Sequence, residues 1–299
     1  MTRTPHDRWR DTGALRMHYR DWGGSGQSLV LLHGLASTCH IWDLVAPILS
    51  RDFSVVALDQ RGHGETDKPD QGYDFATIVE DLRLFLAASD REHPIIVGHS
   101  WGGDVALEFA VAHPESPLGL CFVDGGIIEI SARPEMTLER AKEEMAPPDF
   151  TGMTAGQLRE RARSRRWFSE MTTELEEILF ANFEVQADDT IRARLSRANH
   201  MRIIEAFWDH RPSKLFERVS CPVLLMPARQ EDGDSAAPNR FRREEAIATA
   251  ARLLPKSKTA WLEDSIHDVP LQRPELVAQT IGDNFHQGFF LHAHRTAAD

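Results

Sequence analysis

The chain has 299 residues, of which 41% are hydrophobic and 27% are charged, as expected for one large globular domain or a domain carrying an insertion. Its formal net charge of −12 argues against nucleic-acid partners and anionic membrane surfaces, because both attract basic faces. No apolar stretch approaches the roughly 20 residues that span a bilayer. The polar N-terminus has no secretory-signal pattern, so we expect a cytoplasmic protein.

Strand and helix patterns alternate along the first 123 residues. Residues 15–20 alternate apolar and polar side chains, which predicts an edge strand half exposed to water. Continuous apolar runs, typical of parallel strands covered on both faces, occupy residues 28–32, 53–58, 95–97 and 118–123. The stretches between these runs show helical spacing, notably residues 41–49 and 75–88. The alternation predicts an α/β fold with a mainly parallel sheet.

The alternation stops after residue 126. Residues 127–215 show only helical patterns, and the apolar side chains from Ile191 and Leu195 to Phe207 are predicted to line one helix face. Strand and helix patterns then return at residues 221–226, 240–254, 258–262 and from Pro274. We therefore expect a core built from residues 1–126 and 216–299, with a helical insertion at 127–215.

Three cysteines, Cys39, Cys121 and Cys221, form no metal-binding or disulfide spacing. Cys121 and Cys221 lie in apolar runs, so we expect them to be buried and reduced. Motifs for a catalytic metal, a P-loop or a dinucleotide are missing from the sequence, which predicts an activity that needs no metal or cofactor.

The sequence Gly98-His99-Ser100-Trp101-Gly102 lies between an apolar strand pattern and a helical pattern. Small residues let the main chain pass through a strained corner there, and the helix N-terminus behind the serine favours negative charge. We interpret Ser100 as a nucleophile. The alternative is a Gly-Ser turn that only joins a strand to a helix.

A serine hydroxyl needs a base within hydrogen-bond reach before it can attack a substrate. His267 follows the last predicted strand, where a loop would emerge at the same carboxyl edge of the sheet as Ser100. Among the fourteen histidines, His267 is therefore the best-placed candidate for that base.

The motifs at residues 32–34 (Leu-His-Gly), 59–64 (Asp-Gln-Arg-Gly-His-Gly) and 98–103, with the late His267, occur in an order that resembles the α/β-hydrolase superfamily. The resemblance covers nearly the whole chain. It implies an eight-stranded, mainly parallel sheet flanked by helices, and it places the insertion where the helical cap of such enzymes lies. It also implies that main-chain N–H groups of Leu35 and Trp101 form an oxyanion hole, and we interpret His33, His63 and His99 as structural.

The third member of a catalytic triad has more than one candidate. In similar proteins it usually follows the strand that here covers residues 223–226, which indicates Glu231, with Asp232 and Asp234 close by. A second arrangement puts it after the preceding strand, at Asp124, where Gly125 and Gly126 would let the carboxylate turn toward His267. Asp124 could instead cap the first helix of the insertion. Any of these acids would orient and stabilise the imidazole.

The insertion supplies apolar side chains for a substrate cavity, and Trp101 and Trp42 are expected to join them. The candidates within the insertion are Met136, Met145, Met153, Trp167, Phe168, Phe180, Phe183, Phe207 and Trp208. Which of them line the cavity is left open.

These features predict a serine hydrolase of monomeric or homodimeric form, acting on a small ester, lactone or related acyl substrate. Carbon–carbon bond hydrolysis and perhydrolysis use the same residues and stay open, as does slow or non-catalytic binding of a small molecule. Dehalogenation and epoxide opening on this fold resemble the same layout but use an aspartate nucleophile, and the serine at position 100 argues against both.

Overall fold

The computed structural model describes residues 3–164, 172–229 and 237–291. Within them the strands are β1 (His6–Asp11), β2 (Arg16–Gly23), β3 (Ser28–Leu32), β4 (Ser54–Leu58), β5 (Ile95–His99), β6 (Gly119–Val123), β7 (Phe183–Val185), β8 (Ile191–Ala193), β9 (Val223–Met226), β10 (Ala228–Arg229), β11 (Ser257–Thr259) and β12 (Leu262–Glu263). Eight of them form one sheet in the order β1-β2-β4-β3-β5-β6-β9-β11. This confirms the predicted eight-stranded α/β architecture.

Helices connect the strands and cover both faces of the sheet. They are α1 (Ala46–Leu49), α2 (Phe75–Ala88), α3 (Trp101–Ala112), α4 (Leu138–Glu144), α5 (Ala155–Arg163), α6 (Thr173–Phe180), α7 (Arg197–Asp209), α8 (Ala237–Leu253), α9 (Val269–Gln272) and α10 (Pro274–His286). Apolar side chains of α2, α3 and α8 pack on one face, and those of α1 and α10 pack on the other. Burial on both faces explains why the central strands are continuously apolar.

Six strands of this sheet run parallel to one another: β3, β4, β5, β6, β9 and β11. At one edge, β2 pairs antiparallel with both β4 and β1. In the centre, β5 lies between β3 and β6, and the last residue of β5 is level with the last residue of β6. Loops that leave β3, β5 and β6 therefore emerge side by side at one carboxyl edge, where ligands bind in open parallel sheets.

The edge of the sheet differs from the prediction. The strand predicted at residues 15–20 is the second strand, β2, and the edge strand is β1, which the sequence analysis missed. All six residues of β1 are exposed, and Trp9 is the one apolar side chain among them. A strand with no buried face has no apolar alternation to reveal it, and its charges discourage pairing with another chain.

Residues 127–215, here named the insert, lie between β6 and β9 and include α4 to α7. The expectation of helical structure alone is wrong, because β7 and β8 form an antiparallel hairpin within the insert. Phe183 and Ile191 on this hairpin pack with Leu158 of α5 in a small separate core. Strands of three residues are too short for their periodicity to be recognised.

Ile191 and Leu195 do not belong to the helix predicted for them. Ile191 lies in β8, and α7 begins only at Arg197, after the Ser196 side chain accepts a hydrogen bond from the Asn199 N–H. The serine N-cap therefore decided the boundary, although the apolar spacing continued through it.

The three cysteines are buried and form no disulfide, as predicted for Cys121 and Cys221. Among the described helices, none is long and apolar enough to cross a membrane.

Candidate active site

Ser100 occupies a sharp corner between β5 and α3. Its main chain has a φ of +52° and a ψ of −128°, a sparsely populated conformation that costs an L-residue about 1–3 kcal/mol. The corner is tight, because a Cβ on Gly98 would overlap the main chain of Gly102. The Ser100 N–H donates to the Val123 carbonyl over 3.0 Å and ties the corner to β6. The glycine-flanked motif therefore forms the strand–turn–helix geometry that presents a serine side chain at the sheet edge.

His267 reaches Ser100 from the loop between β12 and α9. Its Nε2 lies 3.0 Å from Ser100 Oγ, and its Nδ1 lies 2.7 Å from Asp124 Oδ2. An ionised carboxylate only accepts hydrogen bonds, so Nδ1–H donates to Asp124 and Nε2 is left to accept the hydroxyl proton of Ser100. Folding thus joins Ser100 to an imidazole that is 167 positions away in the sequence.

Asp124 follows β6 just as Ser100 follows the neighbouring β5. Its φ of +50° turns the chain directly after the strand. A Cβ on Gly125 would overlap the Ser100 main chain, so this close approach requires glycine. The second carboxylate oxygen, Oδ1, accepts the Ala228 N–H over 2.8 Å. The buried carboxylate therefore contacts His267 and the main chain after β9.

The other three candidate acids, Glu231, Asp232 and Asp234, lie outside the described residues. In the part of the chain that the structure describes, Asp124 is the candidate placed against His267.

Arg243 on α8 belongs to the site and was missed by the sequence analysis. Its guanidinium forms an ion pair with Asp124 Oδ1, beside the bond from Asp124 to His267. Partial loss of solvation lowers the pKa of His267, although its side chain is still 53% exposed; the charge of Asp268 opposes this, and the positive charge of Arg243 lowers the pKa further. The imidazole is thus held in its neutral, proton-accepting form near neutral pH. Since α8 contains several arginines, no sequence signal distinguishes this one.

Two of the histidines interpreted as structural hold the loops around the corner. His99 is buried, and its Nε2–H donates to the His267 carbonyl over 2.8 Å. Burial lowers the pKa of His99 to about 3, so it stays neutral. His33 donates through Nδ1–H to the Gly34 carbonyl and accepts the Gln60 N–H at Nε2. Both rings fix main chain rather than face a substrate.

The main-chain N–H groups of Leu35 and Trp101 are the donors implied for an oxyanion hole. Trp101 is the first residue of α3, and the first N–H groups of a helix have no intrahelical acceptor and carry its positive dipole end. Gly34, just before Leu35, lies against the corner, because a Cβ there would be 3.0 Å from Ser100 Cβ. The two segments that would supply the donors therefore meet beside the serine.

A cavity of about 700 Å³, here named the first cavity, opens on the Asp124–His267 side of the corner. Its walls come from the insert, the ends of β6 and β9, and α8, and they include Ile128, Met145 and Arg243. A volume of this size is typical of small-molecule sites.

The expectation that Trp42 and Trp101 help to line a cavity is not met for the two cavities at the site, since neither residue lines them and both side chains are buried in the core. Trp101 instead stacks on His63 with ring centroids 5.7 Å apart. Trp167 and Phe168 lie outside the described residues.

One group of side chains among the described residues has the composition of a metal site. It consists of His18, Cys39 and Asp59, whose ligand atoms lie within 4.8 Å of one another. Asp59 already accepts hydrogen bonds from the His18 ring and from the N–H groups of Cys39 and Glu65. Burial raises the pKa of the Cys39 thiol well above its usual value. A protonated thiol is a poor metal ligand, so we interpret the group as a buried polar network.

A family model described as the α/β hydrolase family matches residues 29–280. The soluble epoxide hydrolase of Corynebacterium sp. (strain C12) is 42% identical over 95 residues, which are 32% of this chain and 33% of that protein. A fluoroacetate dehalogenase of Burkholderia sp. is 37% identical over 107 residues, or 34% of this chain and 35% of that protein.

Among solved structures, E-2-(acetamidomethylene)succinate hydrolase superposes with a TM-score of 0.75 at 22% identity, covering 95% of this chain and 100% of that one. At this identity the likeness shows a shared fold. The matched region spans only about a third of the two sequence relatives.

Proposed function

The chain belongs to the α/β hydrolase family, and we propose that it is a cofactor-independent serine hydrolase that cleaves an ester, lactone or related small acyl substrate. The observation that carries the proposal is the unbroken series of hydrogen bonds from Ser100 through His267 to Asp124. Each contact has the length that proton transfer and imidazole orientation require.

In the first half of the reaction, Ser100 Oγ attacks the substrate carbonyl while its proton moves to His267 Nε2. The resulting imidazolium is stabilised by Asp124, and the N–H groups of Leu35 and Trp101 bind the oxyanion. Each such donor contributes about 3–4 kcal/mol to an acyl-transfer transition state. His267 then gives its proton to the leaving group, which yields an acyl-enzyme on Ser100.

In the second half, water replaces the leaving group. His267 takes a proton from the water, which attacks the acyl carbon, and Ser100 recovers its proton as the acid departs. Peroxide or a carbon leaving group could use the same residues, and this connects the proposal to perhydrolysis and carbon–carbon bond cleavage.

The activities named for the two sequence relatives, epoxide hydrolysis and fluoroacetate dehalogenation, require displacement at an alkyl carbon. An aspartate nucleophile would form an alkyl ester there, which water can open at the carboxyl carbon. Ser100 would form an ether with no carbonyl for water to attack. The serine therefore favours acyl transfer over both of these reactions.

A fluorophosphonate probe tests this proposal. We expect rapid labelling of Ser100 in the wild type and none in Ser100→Ala, together with a loss of at least about 10⁴-fold in hydrolysis across a panel of esters and lactones. Ser220→Ala, at an exposed position away from the corner, is the matched control and should retain full activity. A folded wild-type protein that is neither labelled nor active would overturn the proposal and favour the alternative of a small-molecule binder.

A further inference from the structure

A second cavity, of about 360 Å³, lies between the insert and the sheet. Its floor is residues 36–38, the loop that directly follows Leu35, and its roof is built by α5, α6 and the β7–β8 hairpin. Apolar side chains make up most of its walls, among them Phe150, Leu158, Leu179, Phe183 and Leu195. The space is therefore suited to a neutral, apolar group.

Met145 lines both this second cavity and the first cavity. Its main chain is held in place, since its N–H donates to the Ala141 carbonyl and its own carbonyl accepts the Nε2–H of the buried His200 over 2.9 Å. The side chain is unbranched and has three rotatable bonds, so it can adapt its shape where the main chain cannot. Met145 is thus an adjustable wall between two spaces.

The chemistry of acyl transfer assigns different parts of a substrate to the two cavities. The leaving group must lie within reach of His267, because His267 protonates it. His267 lines the first cavity and is not among the residues that line the second. The leaving group therefore belongs in the first cavity. The remaining substituent of the carbonyl carbon is the acyl chain, and the second cavity is the other space next to the site, since its lining begins at Ala36, directly after Leu35, and meets the first cavity at Met145.

We propose that the second cavity is the acyl-binding chamber of this hydrolase, that it takes a neutral apolar acyl chain, and that the Met145 side chain sets the chain length accepted. This inference rests on the proposed serine hydrolase function.

Charged groups around the chamber agree with a neutral occupant. Two arginines border it: Arg194 is engaged by Glu65 and Glu184, and Arg161 lies exposed to water at the rim, where its charge is screened. Burial lowers the pKa of His200, which keeps its ring neutral. A carboxylate on the acyl chain would meet no strongly attracting, buried cation among the described lining residues.

The test uses p-nitrophenyl alkylphosphonates whose alkyl chain grows from ethyl to octyl. Ser100 Oγ forms a bond to phosphorus, p-nitrophenolate leaves with the bonding electron pair, and His267 takes the serine proton. Release of p-nitrophenolate and the mass of the adduct give the labelling rate. In the wild type we expect this rate to rise by up to about fourfold for each methylene that the chamber buries, and to stop rising at a definite length.

Two variants test the chamber directly. Ala193→Phe introduces a ring from β8 into the chamber, and we expect labelling by the octyl probe to fall about tenfold or more relative to the ethyl probe. Met145→Ala removes the wall and should move the optimum to longer chains. The matched controls are Ala112→Phe, at the exposed end of α3, and Met136→Ala, a partly buried methionine of the insert that lines neither cavity. Both should keep the wild-type length profile.

Several outcomes would overturn the assignment. If Ala193→Phe slows the ethyl and octyl probes equally, or changes selectivity for the leaving group, the acyl chain does not occupy the second cavity. If Met145→Ala leaves the optimal alkyl chain length unchanged, Met145 does not set the chain length accepted. Labelling that is rapid but independent of chain length would refute only the chamber, whereas no labelling of Ser100 by any probe would refute the proposed hydrolase as well.

Discussion

In two histidine–carboxylate groups of this molecule, the pKa of the histidine is shifted in opposite directions. His267 contacts Asp124, and its pKa is lowered. His210, which follows α7 of the insert, contacts Glu108 over 2.9 Å and Asp104 over 3.2 Å on α3. Burial alone would lower the pKa of His210, but its bonds to these two carboxylates raise it to about 9.

The difference comes from the charges around each ring. Asp124 divides its carboxylate between His267 and the cation Arg243, so the imidazole gains little from becoming positive. His210 has a carboxylate at each nitrogen and stacks on Phe75 with ring centroids 4.4 Å apart. One carboxylate shared with a cation gives a base, whereas two carboxylates give an imidazolium that is charged at neutral pH and fastens the insert to α3.

Replacing Asp124 or Asp104 by asparagine should have the largest and most different effects, on catalysis in the first case and on stability in the second. We expect Asp124→Asn to lower kcat by about 10⁴-fold, because an amide no longer holds His267 in the tautomer that accepts the Ser100 proton. Steady-state hydrolysis of an activated ester measures the loss. A near-normal kcat in Asp124→Asn, with a loss on changing Glu231, Asp232 or Asp234, would show that another carboxylate is the triad acid.

Asp104→Asn is the matched control for that experiment. It should keep kcat within about twofold while lowering the free energy of unfolding by about 1–3 kcal/mol, since it weakens a buried bond to a charged ring. Urea unfolding measured beside the kinetics distinguishes these effects.

Removing the positive charge of His210 should destabilise the protein without changing its rate of hydrolysis. We expect His210→Phe to lower the free energy of unfolding at pH 7 by about 2–4 kcal/mol, because Asp104 is left buried without its cationic partner and keeps only main-chain donors such as the Ile128 N–H. Burial raises the pKa of Asp104 even with His210 present, so part of this cost is relieved by protonation of Asp104. His113→Phe, at the end of α3, is the control.

The same group predicts a dependence of stability on pH. The folded pKa of about 9 lies above the unfolded value of about 6.5, so the stabilisation is complete below pH 6.5 and is lost as the pH rises through about 9. Urea unfolding between pH 6 and 10 should show this decline in the wild type. A decline of equal size in His210→Phe would mean that His210 is not its source.

Removing the cation beside Asp124, so that the charges around His267 resemble those around His210, should have the smallest effect. Arg243→Gln removes the cation beside Asp124, so we expect the pKa of His267 to rise and the acidic limb of the kcat/KM profile to move up by roughly half a pH unit to one unit. In the wild type, that limb should lie below pH 6.5, because burial and Arg243 lower the pKa of His267.

Arg252→Gln is the matched control, since Arg252 is exposed on the same helix. If both variants moved the limb equally, net charge rather than contact with Asp124 would be responsible. A downward movement in Arg243→Gln would contradict the role assigned to Arg243.

Local sequence was sufficient to predict the features that local physics controls. The corner at Ser100 requires small residues on both sides, and buried parallel strands require continuous apolar runs, so both leave clear patterns. The elements that were missed or misplaced lack such patterns. The edge strand β1 buries no side chain, and the β7–β8 hairpin is too short for its alternation to be seen.

By itself, therefore, the sequence determined the α/β architecture, the nucleophile candidate Ser100 and the late base candidate His267. Tertiary structure decided which described carboxylate meets His267, because the β5–β6 register sets Asp124 beside Ser100 and the loop after β12 brings His267 to both. It also brought Arg243 to Asp124 and placed Met145 between two cavities. Contacts of this kind depend on how elements that are distant in the sequence pack together, and the residues next to a side chain in the sequence do not indicate that packing.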